Sequence, residues 1–94
     1  MKVKVNFMAV LRTLANAESI EVDVPEGSSI RDVIYIACKD NKKLLERIFE
    51  PSKELIRADV MVMVDGIDVN IMGGINAKAI NIRELTLIPS VHGG

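Results

Sequence analysis

Cysteine, histidine and aromatic side chains are nearly missing from this 94-residue chain, and each shortage closes off a class of function. Cys38 is the only cysteine, so no disulfide can form within the chain and no cysteine cage for a metal exists. Its spacing from Val33, Ile34 and Ala37 marks a half-buried helix position, which favours an inert packing role over a reactive thiol. His92 is the only histidine; no nucleophile lies near it in sequence, and nothing supplies further ligands at metal spacing. Phe7, Tyr35 and Phe49 are the whole aromatic set. Acidic and basic residues are interspersed and the formal net charge is −1, so there is no basic stripe with stacking aromatics to hold a nucleic acid. The cluster Lys39, Lys42 and Lys43 reads as a solvated helix end, because cations favour helix C-termini. No apolar run approaches the ~20 residues of a membrane span. Lys2, Lys4 and Asn6 interrupt the N-terminal stretch, which fails as a signal peptide. The expectation is a soluble cytoplasmic protein that engages neither nucleic acid nor membrane.

What the chain does have is aliphatic side chains in legible patterns. Apolar residues make up 49% of it, enough for one modest core built from Val, Ile, Leu and Met. Residues 2–8 alternate, with Val3, Val5 and Phe7 on one face and Lys2, Lys4, Asn6 and Met8 on the other. After a short irregular stretch, residues 18–24 alternate again, with Ile20, Val22 and Val24 inward, which predicts a hairpin with a loop of moderate length. Ser29 followed by Asp32 is a capping-box pattern, and Ile30, Val33, Ile34, Ala37 and Cys38 form one helical stripe, which predicts the main helix over residues 29–40. Leu44, Leu45, Ile48 and Phe49 form a second stripe, ended by Pro51. The unbroken apolar run at 60–64 predicts a buried central strand, with a turn at Asp65-Gly66. A short strand at 68–71, a loop at Gly73-Gly74 and a final strand at 85–88, stopped by Pro89, complete the order. This is an α+β arrangement, a mixed sheet with a helix on one face.

No catalytic set accompanies this pattern. There is no glycine-rich phosphate loop. Asp65, Asp68 and Asn70 carry part of a calcium-loop pattern, but the glycine falls at its second position and no twelfth-position Glu follows. The informative feature is the last stretch, where a strand ends at Pro89 and the sequence finishes five residues later at Gly93-Gly94. Average glycine usage of ~7% makes such an ending a roughly one-in-200 coincidence. Five extended residues reach ~16–18 Å, enough to enter another protein's active site. Glycines lack side chains, so the backbone can pass a narrow channel and approach a bound nucleotide. The expected organisation is therefore a domain over 1–89 with a flexible, exposed tail over 90–94.

The residues then match a known family. The stretch Val5-Asn6-Phe7-Met8-Ala9-Val10-Leu11-Arg12 resembles the first strand and turn of the MoaD group, and residues 24–33 resemble its second-strand-to-helix junction. Residues 87–94, Leu87-Ile88-Pro89-Ser90-Val91-His92-Gly93-Gly94, resemble its tail. The resemblance spans nearly the whole chain and implies a β-grasp, ubiquitin-like carrier of the MoaD/ThiS type rather than an enzyme in its own right. It implies that Gly94 is adenylated by a ubiquitin-activating-enzyme-like adenylyltransferase and converted to a thiocarboxylate, with Gly93 supplying a slim backbone beside it. ATP would be used by that partner, with no cofactor or metal bound to the carrier. In the MoaD branch the carrier is the small subunit of molybdopterin synthase, so the synthase's large subunit is the second expected partner. Relatives of the same type feed thiamine synthesis, thiolate tRNA or become attached to lysines.

The alternation also defines an outer face. In a β-grasp sheet the first and last strands are parallel neighbours, which places Met8, Thr86 and Ile88 on the face away from the helix. Met8 and Ile88 would form an apolar patch beside the tail, a feature that often marks an interaction site, although two isolated surface apolar residues need no explanation. The resemblance places partner contacts here and at Arg12. The expected contact set is Met8, Arg12 and Ile88 with the tail residues Pro89, Ser90, Val91 and His92.

Overall fold

The alternation at the N-terminus becomes the backbone of the sheet. Strand β1 (Lys2–Phe7) buries Val3, Val5 and Phe7 completely and leaves Lys2 and Lys4 exposed. It pairs antiparallel with β2 (Ser19–Asp23) through Val3↔Val22 and Val5↔Ile20. The computed structural model describes residues 1–90; Val91, His92, Gly93 and Gly94 lie outside the described part.

The stretch between β1 and β2, read from sequence as irregular, is instead a short helix, α1 (Val10–Ala15). Ala9 before it adopts φ 51°, and Asn16 after it takes the left-handed conformation that closes a helix. One buried side chain, Leu11, ties α1 to the core. A six-residue helix with no capping side chain leaves almost no periodic signal.

Helix α2 (Ile30–Cys38) begins where the capping box predicts. The Ser29 hydroxyl accepts from the Asp32 N–H at 3.1 Å, and the Asp32 carboxylate accepts from the Ser29 N–H at 3.0 Å. Ile30, Val33, Ile34 and Cys38 face the sheet and are buried. Helix α3 (Lys42–Ile48) is capped by Asn41 and buries Leu44 and Ile48. Of the lysine cluster, only Lys39 ends a helix; Lys42 and Lys43 open α3. Lys42 lies 4.0 Å from Glu46 one turn on, a pairing that offsets a cation's unfavourable place at a helix N-terminus.

Strand β3 (Val60–Val64) corrects a second expectation. Val60, Val62 and Val64 are buried, but Met61 is exposed and Met63 half-buried, so the run is covered on one side only. Asp65 and Gly66 have φ of 48° and 83°, the pair of positive values required by the tight turn into β4 (Ile67–Asp68). The predicted strand at 68–71 is cut short, because Asp68 caps a 3₁₀ turn over Val69–Met72. Strand β5 (Glu84–Pro89) then runs up the middle of the sheet, parallel to β1 and antiparallel to β3. The order is β2-β1-β5-β3-β4, a mixed five-stranded sheet with its helices against one face. Val3, Val5, Phe7, Ile30, Val33, Ile34, Val62 and Leu87, the expected core, are all buried between them.

Pro89 does not stop β5 ahead of itself. It is buried, pairs with Val60 and is the strand's last residue. The ladder to β1 has already ended at Phe7↔Leu87, so Pro89 has a strand on one side only, and an edge position tolerates a missing N–H.

Candidate functional site

Covering one face of the sheet leaves the other open, and its character changes along the strands. At the end far from the tail it is polar: the Asn6 amide donates to Glu84 Oε2 at 3.0 Å and to Thr86 Oγ1 at 3.1 Å, across the parallel β1–β5 pair. At the tail end it is apolar. Ile88 is the cross-strand partner of Met61, while the Met8 N–H donates to the Leu87 carbonyl at 3.1 Å. Met8, just past the end of β1, therefore lies in one row with Ile88 of β5 and Met61 of β3. Met8 is 38% exposed, Met61 49%, and Ile88 is half-buried between them.

The sequence pattern does not mark Met61 as part of this face. Its run of five apolar residues carries no polar partner to mark the outward positions. A methionine suits such a place, because its flexible, polarisable side chain adapts to different partner surfaces.

A groove of about 620 Å³ opens beside this row, lined by Ala58, Met61, Asp68, Asn70, Ile88 and Ser90. Ser90, the last described residue, is exposed at its edge. A smaller hollow of about 300 Å³ is lined by Met8, Arg12, Asn6 and Thr86 among others. Arg12 is about half exposed; its Nε lies 3.5 Å from the Phe7 carbonyl and its Nη1 3.5 Å from Glu18. The structure thus brings Met8, Arg12, Ile88 and Ser90 to one open face. It places Pro89 under that face rather than on it. Val91, His92, Gly93 and Gly94 belong to the undescribed tail.

The remaining candidates resolve differently. Cys38 is buried, its Sγ donating to the Ile34 carbonyl at 3.1 Å, and burial pushes its thiol up to about 12. A thiol held protonated in this way is a poor nucleophile. The Asp65 carboxylate accepts from the Arg83 and Glu84 N–H groups at 2.9–3.2 Å, and Asp68 accepts from Asn70 at 2.9 Å. These acids brace the turn and the start of β5. Among the described residues, no group of three or more His, Cys, Asp or Glu side chains is placed to hold a metal ion, and no helix is long and apolar enough to cross a membrane.

No family model matches the sequence, and no curated protein is similar enough to register. Solved structures are similar over the whole chain. The crystal structure of SAMP1 from Haloferax volcanii is 21% identical, covers 100% of both chains and superposes with a TM-score of 0.86, a likeness of fold. A chain of the Amycolatopsis orientalis BexX/CysO complex is 26% identical over 98% of this chain and 99% of its own, with a TM-score of 0.78. A molybdopterin converting factor subunit 1 assigned in Pyrococcus furiosus is 28% identical over 97% and 99%, with a TM-score of 0.72. With a mixed five-stranded sheet backed by helices on one face, this chain has the β-grasp, ubiquitin-like fold, and its structural neighbours are MoaD/ThiS-like ubiquitin-like sulfur carriers.

Proposed function

We propose that this protein carries sulfur on the carboxylate of Gly94. The observation that carries the proposal is the apolar row Met8–Ile88–Met61 lying at the exit of the strand that leads to Gly93-Gly94. A partner seated on that row receives the tail without further search. The five residues after Pro89 span ~16–18 Å when extended, the scale of an enzyme's entry channel.

The chemistry falls into two steps. A carboxylate oxygen of Gly94 attacks the α-phosphorus of ATP in the active site of a ubiquitin-activating-enzyme-like partner; pyrophosphate leaves and an acyl-adenylate forms. A sulfide-level nucleophile then attacks the glycyl carbonyl and AMP leaves, giving a thiocarboxylate. The domain's own part is to dock, to present the tail and to keep other nucleophiles away. The only thiol, Cys38, is buried and held protonated, so it does not compete for the adenylate. Likeness to the molybdopterin converting factor subunit favours a pterin precursor as the sulfur acceptor, with the large subunit of molybdopterin synthase as the second partner.

A second reading, conjugation of the same activated glycine to lysine amines, is favoured by likeness to a protein named small archaeal modifier protein 1. Both readings share the adenylate and differ in what attacks it. The test is intact-mass measurement after incubation with the cognate activating enzyme, ATP and a sulfur source. Replacement of one terminal oxygen by sulfur, lost when Gly94 is deleted, is the expected result. Equal activation after Gly94 is deleted, or a native chain whose terminus lies beyond Gly94, would overturn the proposal.

A further inference from the structure

A hydrogen bond just past the end of β5 is made to a segment that is itself clamped from a distance. The Ser90 N–H donates to the Asp59 carbonyl at 2.7 Å, one residue beyond the strand. Asp59 stands just before β3, and its carboxylate receives both arms of the Arg47 guanidinium, at 2.8 and 3.1 Å. This is the shortest ion pair among the described residues, and its side chains are only 26% and 30% exposed. A planar fork on a carboxylate fixes direction as well as distance, which a lone ammonium does not. Arg47 sits in the last turn of α3. The chain between α3 and β3 is pinned to that helix as well: the Arg57 N–H donates to the Ile48 carbonyl at 2.8 Å, and Arg57 Nε donates to the Glu46 carbonyl at 2.7 Å. Asp59 is therefore held by the helical layer, although the residue it receives belongs to the end of the sheet.

We propose that the Arg47–Asp59 pair is a positioning device for the tail. It fixes the Asp59 carbonyl where it takes the Ser90 N–H, and so sets the point and direction in which the following residues leave the domain. The inference rests on the carrier reading above. Both side chains act through the Asp59 backbone. A tail whose first residue is already held presents fewer conformations for a partner to sort, so loss of the clamp weakens productive binding rather than the chemical step.

Two variants test this. Arg47→Met keeps the aliphatic stem and removes the fork, while Arg47→Lys keeps the charge as a single point. The first measurement is amide hydrogen exchange of the full chain, read at Ser90 with the Met8 amide as an internal control. The second is KM and kcat for ATP-dependent activation by the cognate activating enzyme. Arg47→Met is expected to speed Ser90 exchange by about fivefold with Met8 unchanged, and to raise KM by a similar factor while kcat stays within about twofold. Arg47→Lys falls between it and the native protein in both measurements. Unchanged Ser90 exchange in folded Arg47→Met, or a lowered kcat at unchanged KM, overturns the proposal. If Arg47→Met does not fold, Asp59→Asn takes its place with the same criteria. Failure of the native protein to be activated would sink the carrier reading instead, and Ser90 exchange would still decide whether the clamp exists.

Discussion

The two faces of the sheet are built from the same strands, residue by alternate residue, yet they serve different ends. Toward the helices, Val3, Val5, Phe7, Val62, Leu85 and Leu87 are buried against α2 and its neighbours. Away from them, Lys4, Asn6, Met8, Met61, Thr86 and Ile88 form a surface with no layer over it among the described residues. Neighbouring positions such as Leu87 and Ile88 are chemically alike and differ only in which way the pleat turns them. Apolar character on the helix side is accounted for by folding. The same character on the open side, gathered at one end beside the tail, is not, and this contrast is what directs attention to recognition.

The contrast is sharpest for truncations. Leu87→Ala or Phe7→Ala should destabilise the domain by about 2–5 kcal/mol, through lost burial and the cavity left behind, as read by urea denaturation. On the open face, Ile88→Asp or Met61→Asp should shift stability by no more than about 1 kcal/mol. Those same changes should weaken binding to the activating enzyme at least about tenfold, measured by calorimetry. If Ile88→Asp unfolds the protein as readily as Leu87→Ala, the two faces are not separate in function and the docking surface must be sought elsewhere.

Acid should act on the helix side through its capping box. Hydrogen bonding from the Ser29 N–H holds the Asp32 carboxyl below its ordinary value near 3.8, partly opposed by burial. Its stabilising contribution is therefore complete above that pH and is lost as the pH falls through the lower folded value. Asp32→Asn should cost about 1 kcal/mol at neutral pH, by analogy with the loss of other capping side chains, and should flatten the acid limb of the stability curve. Urea midpoints measured from pH 2 to 7 decide it, and an unchanged acid limb would count against the capping box. The smallest effect concerns Cys38. With its thiol pushed up to about 12, a thiol reagent at pH 8 should leave the folded protein unmodified and label it only as fast as it opens. Prompt labelling under native conditions would mean that the helix side is less closed than the buried Cys38 implies.

Much of the helix side is legible in the sequence, because its signals are local. The alternation of Val3, Val5 and Phe7 and the Ser29–Asp32 capping box each lie within a few residues. The open face is harder to read. Met8 and Ile88 can be placed by counting from inward neighbours, but Met61 sits in a run whose inward and outward members are equally apolar. Helix α1 escapes because it is short and begins from Ala9, a residue in a conformation its type rarely adopts. The reach of β5 through Pro89, and the Arg47–Asp59–Ser90 connection, depend on pairings made after the chain has folded back on itself. Ser90 and Asp59 are far apart in sequence, and no pattern in either neighbourhood announces the other.

The central place of β5 has a consequence for how the protein is made. Strands β1 and β2 form one hairpin and β3 and β4 another, and among the described residues β5 is the one strand that bonds to both. While the ribosome is still synthesising the chain, these two halves have no shared ladder. A product broken off before Glu84 remains two unjoined hairpins, and an isolated two-stranded hairpin is at best marginally stable in water. Completion of the sheet therefore waits for the strand that carries the tail root. Incomplete chains lacking that root stay open to proteolysis, so the folded pool is restricted to molecules in which the strand leading to the tail has been made.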